Sequence, residues 1–206
     1  MFVIFDFDHT LTIKHYYHFM RCNIALRNNY MLDCYKNNDN FFKEYNINEN
    51  LEKFLLSKKQ HIAYTKDDFI SYMFGLDRIK LLDDLLSYLY KKGYTLVIAS
   101  RGNRENIIMC LKYIGFDIYF NNENIYGNEI YKYDLVTSIL DNNDILYIDD
   151  THDVHDMIIN INNDDKMLYI YHHHAILNNK TYNYIHPKYE NEGINKIIID
   201  KIKEIV

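Results

Sequence analysis

The chain has 206 residues, 48% hydrophobic and 25% charged, which is enough to bury one sizeable core and excludes an intrinsically disordered chain. Its net charge of −6 gives no global electrostatic drive toward nucleic acid, although a local basic groove stays open. No apolar run approaches the length of a membrane span, and the odd set Cys22, Cys34 and Cys110, without metal-ligand spacing, fits a reduced, cytoplasmic protein. With no basic segment leading into a long apolar core, a secretory signal is not expected. The 21 tyrosines and abundant asparagines read as a compositional habit rather than low complexity, because hydrophobic periodicity persists throughout.

The first element is Phe2-Val-Ile-Phe5, a short apolar run that reads as a buried strand and ends in Asp6-Phe-Asp8-His9-Thr10. Two carboxylates at a buried strand end need a cation, strong donors or a shared proton. The pleat puts Asp6 and Asp8 on one side if the strand continues. From Thr12 to Asp77 the texture is polar and helical, with weak stripes at Phe19, Cys22 and Leu26 and at Leu51, Phe54 and Leu55. Asp67 or Asp68 is placed to cap a helix carrying Phe69, Met73 and Phe74. His15 and His18 at the entry read as an amphipathic face, with substrate contact as the alternative.

From Asp77 the pattern sharpens. Leu81, Leu82, Leu85, Leu86 and Leu89 make a helical face that stops at Gly93. Thr95–Ala99 is a second strand, ending in Ser100-Arg101-Gly102-Asn103, and a helix with Ile107, Ile108, Leu111 and Ile114 follows. A short strand is expected near Ile118–Phe120, and another helix just after Lys132. Ile145–Ile148 runs into Asp149-Asp150, followed by a helix with Val154, Met157, Ile158 and Ile161. Met167–Tyr171 is a fifth strand, and a last helix turns Ile194, Ile197, Ile198, Ile202 and Ile205 inward. The segments Asn121–Asn128 and Asn178–Asn191 read as surface loops. Strands alternating with helices imply parallel pairing and an α/β layer fold. In such a sheet the strand ends bearing Asp6, Ser100 and Asp149-Asp150 lie on one edge, where ligands bind.

This set of residues resembles the haloacid dehalogenase superfamily of phosphatases and phosphotransferases. Asp6-Phe-Asp8-His-Thr10 looks like its first motif, Ser100 its second, Lys132 its third and Asp149-Asp150 its fourth. The resemblance implies a flavodoxin- or Rossmann-like parallel core, residues 1–12 and 78–206, with a small helical cap inserted at 13–77. It implies an aspartyl-phosphate mechanism with Asp6 as nucleophile and Asp8 as general acid and base. Mg²⁺ would be held by the side chains of Asp6 and Asp150 and the backbone carbonyl of Asp8. Asp149 and Thr10 would support these residues from behind, and Ser100, Arg101, Gly102 and Lys132 would hold phosphate. The chemistry is consistent with those residue types. A phosphate monoester is an anion, so a carboxylate attacks it only where cations offset the repulsion, and Mg²⁺ prefers hard oxygen donors.

Each later motif has an ordinary reading by itself: Ser100 a helix cap, Lys132 a solvated lysine, Asp149-Asp150 a capped helix start. Asp153 and Asp156 follow the fourth motif but miss the family's commonest spacing, and acids suit a first helical turn anyway. His9 sits where the family varies and could touch substrate, while His152, His155 and His172–His174 read as surface residues. The expected activity is hydrolysis of a small phosphorylated metabolite or nucleotide, without a membrane partner. A nucleic-acid 3′-end phosphatase and a non-catalytic binding module of the same fold stay open as alternatives.

Overall fold

The computed structural model of the protein describes residues 1–16, 66–128, 131–140, 144–150, 167–169 and 193–206. Among the described residues five strands form one all-parallel sheet: β1 (Phe2–Phe5), β2 (Thr95–Ala99), β3 (Ile125–Tyr126), β4 (Ile145–Asp149) and β5 (Met167–Tyr169). Their order is β3-β2-β1-β4-β5, so the first strand is central. Phe2 stands level with Thr95 on one side and Ile145 on the other. Both neighbours are long-range in sequence, as crossover connections require.

Both faces of the sheet are covered, which explains why the strands read as continuous apolar runs. On one face Val3, Phe5, Leu96, Ile98, Leu146 and Ile148 belong to the larger core. They share it with residues of α2 (Leu76–Lys91), α3 (Arg104–Ile114) and α5 (Lys196–Ile205). Ile4, Val97, Ala99, Ile145 and Tyr147 make the opposite layer with Leu135 and Val136 of α4 (Lys132–Leu140). Leu82, Leu85, Leu86 and Leu89 of α2 are fully buried, each worth about 1.5–3 kcal/mol of transfer free energy. Among the described residues no helix is long and apolar enough to cross a membrane.

The α/β class and parallel sheet expected from the sequence are present, with local corrections. The strand expected near Ile118–Phe120 is a turn; β3 lies instead at Ile125–Tyr126, inside the segment read as a loop. Ile118 is exposed while Ile125 is buried, and Asn121 caps the short 3₁₀ turn that delivers the chain to β3. In α5, Ile197 is exposed and Ile199 takes the inward place. Helix α1 (Lys66–Met73) already contains Asp67 and Asp68, so neither acid is its cap. Its Phe69 and Met73, with Phe74, join the larger core. The stripes around Phe19 and Leu51, His18, the helix after Asp150 with His152, Asp153, His155 and Asp156, His172–His174 and the loop at Asn178–Asn191 lie outside the described residues.

Beyond β2 the chain makes the loop Ser100–Asn103, and β3 is fitted tightly against it. Ser100 N donates to Tyr126 O at 3.0 Å, Asn128 N to Gly102 O at 2.9 Å and Arg104 N to Asn128 Oδ1 at 3.2 Å. The Arg104 guanidinium donates to Ile125 O and Asn122 O at 2.8 and 2.6 Å. Gly127 lies at this crossing: a Cβ there would stand 2.5 Å from Gly102 O and 2.8 Å from Arg104 N. Because both obstacles are backbone, relief requires moving the loop. Gly127→Ala should therefore lower unfolding free energy by about 1–3 kcal/mol in chemical denaturation. An unchanged midpoint would contradict this packing.

Candidate active site

Strand β1 ends at Phe5 because the chain turns out of the sheet at once. Asp6 N still donates to Ile148 O at 2.8 Å, which fixes Asp6 level with Asp149. Phe7–Leu11 then forms one wide π-type turn, closed by Thr12 N to Phe7 O at 3.0 Å. Inside it Asp8 is extended and His9 is left-handed at φ 57°, a conformation uncommon for any residue but glycine. Asp6 and Asp8 therefore do not share one pleated strand face. Asp8 reaches its position by a turn, where Oδ1 accepts from Tyr16 N at 2.6 Å and Oδ2 lies 3.3 Å from His15 Nδ1. The His15 and His9 rings meet edge to face, 5.8 Å between centroids.

Asp6, Asp149 and Asp150 converge at the C-terminal edge of β1 and β4, each offering a carboxylate oxygen within 4.8 Å of the others. All three are buried. Lys132 comes from the opposite layer and bridges two of them, with Nζ 2.7 Å from both Asp6 Oδ1 and Asp149 Oδ2. It is the first residue of α4, where the helix dipole disfavours a cation, and it is only 5% exposed. A lysine in that place is explained by the buried acids it faces. Tyr147, two residues before Asp149 on the same strand face, also donates its hydroxyl to Asp149 Oδ2. Thr10 Oγ1 donates to Asp150 Oδ1 at 3.4 Å, joining the turn to the cluster.

The second element lies across β2. Ser100 is buried, and its Oγ accepts from Gly102 N at 3.1 Å, so the hydroxyl already occupies one of the amides expected to cradle phosphate. Asn103, not Ser100, caps α3, its side chain accepting from Asn106 N at 3.0 Å. Arg101 is exposed. Sequence reasoning missed Tyr147, although its hydroxyl two positions before an acid in an apolar strand was a usable signal. It also missed Arg78, whose guanidinium donates to Thr10 O and Leu11 O at 2.6 and 2.7 Å.

The electrostatics follow from three buried carboxylates facing one ammonium. Burial, then the neighbouring Asp149, push Asp6 well above its ordinary value; Lys132 opposes the rise and Asp150 adds to it. Asp150 is pushed up to about 7, by burial first and by Asp149 second. For Lys132, burial disfavours the charge, but Asp149 and Asp6 more than offset it and hold the ammonium above its usual range. The site thus lacks positive charge. Protonation of Asp150 stabilises the folded chain, so in the metal-free protein this contribution is complete below about pH 4 and lost as pH rises through about 7. In chelator-treated protein, Asp150→Asn should gain stability relative to wild type as pH rises across that window, measured by thermal denaturation. A pH-independent difference would refute the assignment.

Comparison with known proteins identifies the family. A family model described as haloacid dehalogenase-like hydrolase matches residues 3–162. No curated protein matches the chain. A crystal structure from Clostridium difficile, provisionally described as a phosphatase, aligns with a TM-score of 0.50 at 19% identity, covering 98% of this chain and 97% of its own. A structure from Thermotoga maritima, provisionally described as a beta-phosphoglucomutase, aligns with a TM-score of 0.50 at 14% identity and covers 100% of both chains. At such identities the two structures speak to the fold. The family match spans most of the chain and includes every strand end that contributes to the acidic cluster: the chain belongs to the haloacid dehalogenase-like hydrolases.

Proposed function

We propose that the protein is a Mg²⁺-dependent phosphomonoester hydrolase that works through an aspartyl-phosphate on Asp6. The observation that carries this reading is the buried triangle of Asp6, Asp149 and Asp150 with Lys132 bonded to two of its corners. Structural neighbours described as a phosphatase and a phosphoglucomutase, both phosphoryl-transfer enzymes, are in keeping with it.

The donor set fits a hard divalent cation. The clustered side-chain donors are carboxylate oxygens, and the raised affinities of Asp6 and Asp150 for protons reflect burial first and then negative charge that Lys132 does not fully offset. Asp6 and Asp150 would hold the ion, with the Asp8 carbonyl as a further donor; Asp149 is less suited, since its Oδ2 already serves Lys132 and Tyr147. When bound, Mg²⁺ would neutralise the phosphate and keep Asp6 and Asp150 ionised. An Asp6 oxygen then attacks phosphorus, the ester P–O bond breaks, and Asp8 delivers its proton to the leaving oxygen. Asp8, ionised by that step, takes a proton from water as the water oxygen attacks phosphorus and releases phosphate from Asp6. Lys132 stabilises the charge on the phosphoryl oxygens, and Ser100 with the Arg101 and Gly102 loop orients them.

Residues 13–77 would form a helical cap on a core of residues 1–12 and 78–206. Supporting this, the outgoing and returning segments meet where Ile13 N donates to Met73 O at 2.8 Å. A cap rooted beside the sheet edge excludes water during phosphoryl transfer and selects a small phosphorylated metabolite or nucleotide. A cytoplasmic setting is consistent with that substrate class.

Purified protein should hydrolyse p-nitrophenyl phosphate only with Mg²⁺, and a chelator should abolish turnover reversibly. Asp6→Asn should reduce kcat roughly a thousandfold or more while the far-ultraviolet circular dichroism is retained. Substantial activity in Asp6→Asn would remove Asp6 from the nucleophile role. Failure of wild-type protein to hydrolyse any member of a phosphate ester panel would overturn the enzymatic reading.

A further inference from the structure

The turn that carries Asp8 and Thr10 has left the sheet, so its carbonyls need donors from elsewhere. One side chain supplies several. Arg78, near the start of α2, donates from Nη2 to Thr10 O at 2.6 Å and from Nη1 to Leu11 O at 2.7 Å. The same Nη1 reaches Phe74 O at 3.2 Å, and Nε donates to Ile194 O at 2.7 Å. Ile194 N in turn donates to Thr10 O at 2.9 Å, so Thr10 O accepts from both the guanidinium and the C-terminal segment. Three segments far apart in sequence are thereby held by one planar group. Lysine cannot reproduce this, because an ammonium presents its donors from a single point.

The close approach leaves no room at Gly193. A Cβ there would stand 2.5 Å from Arg78 Nη2, 2.7 Å from Thr10 O and 2.8 Å from Thr12 O, and Gly193 has φ 57°. Thr10 also bonds Asp150, so displacing this turn shifts an acid of the cluster as well as Asp8.

We propose that Arg78 is a positioning residue for the reaction, clamping Thr10–Leu11 against Gly193–Ile194 and so fixing Asp8 and Asp150 relative to Asp6. The role in turnover rests on the phosphatase reading above; the clamp itself does not. The segment Gly193–Ile194 thereby becomes part of the active-site support.

The test compares full-length wild type, Arg78→Ala and Arg78→Lys by kinetics on p-nitrophenyl phosphate and by amide hydrogen exchange. Arg78→Ala should lower kcat roughly 10- to 100-fold with KM changed less than about threefold, the scale set by an ångström of misplacement. Added guanidinium ion should restore part of that loss, whereas Arg78→Lys should not recover it. Exchange at the Thr12, Ile13 and Ile194 amides should accelerate about tenfold or more, with Val3–Phe5 in β1 unchanged. Should Arg78→Ala fail to fold, Arg78→Lys and Gly193→Ala carry the same exchange comparison. Uniform acceleration across the sheet, or an unaltered kcat with unaltered exchange, would overturn the clamp. If wild-type protein hydrolyses no phosphate ester, the phosphatase reading falls, and exchange confined to the three amides still establishes the clamp.

Discussion

The lysine that opens α4 holds the two halves of the site together. Lys132 sits at 2.7 Å from both Asp6 and Asp149, almost without solvent, and joins the end of the central strand to the end of its neighbour. Removing such a counter-charge leaves buried carboxylates without compensation, a cost of about 3–5 kcal/mol unless they take up protons. Yet one ammonium cannot balance three acids. Burial first, and then this surplus, raise the proton affinity of Asp6 and Asp150, and the surplus would make the cluster receptive to a second cation. Three acids against one ammonium are electrostatically unfavourable, and on the proposed reading a bound divalent ion would relieve this and prepare the site for an anionic substrate.

The sheet explains why these residues meet. Strands β1 and β4 are adjacent and in register, so Asp6 and Asp149, distant in sequence, lie side by side. Tyr147 occupies the same face as Asp149 and adds a hydroxyl bond from within the apolar layer. The turn after β1 supplies a different kind of control. It places Asp8 beside Tyr16 and His15, which gives the proposed acid–base group a hydrogen-bond environment of its own.

What could be read from the sequence follows the range of the interactions concerned. Strands Phe2–Phe5, Thr95–Ala99 and the run into Asp149 were legible because burial on both faces leaves uninterrupted apolar runs. The convergence of Asp6 and Asp149 followed from parallel strand ends sharing one edge of the sheet, whereas Lys132, on a helix, was assigned to the site by the family resemblance. β3 was misplaced because Ile118-Tyr-Phe120 has strand composition, while the true strand has only two residues and owes its existence to pairing with Ile98 and Ala99. Ile197 and Ile199 could not be told apart in a helix rich in isoleucine, where several phases fit the period. Arg78 had no local signal: its partners are backbone carbonyls, and Ile194 is 116 residues away. That Gly193 must be glycine is likewise visible only once the turn and the C-terminal segment are in contact.

The enzymatic reading depends on a shortage of positive charge among Asp6, Asp149 and Asp150 that a divalent ion would relieve. Calorimetric titration of wild-type protein with Mg²⁺ near pH 6.5, repeated in buffers of differing ionisation enthalpy, measures ion binding and proton release together. Because burial and crowding favour protons on the acids that would hold the ion, that reading predicts saturable binding of one Mg²⁺ accompanied by proton release. Binding without proton release, or no binding at millimolar Mg²⁺, would contradict it.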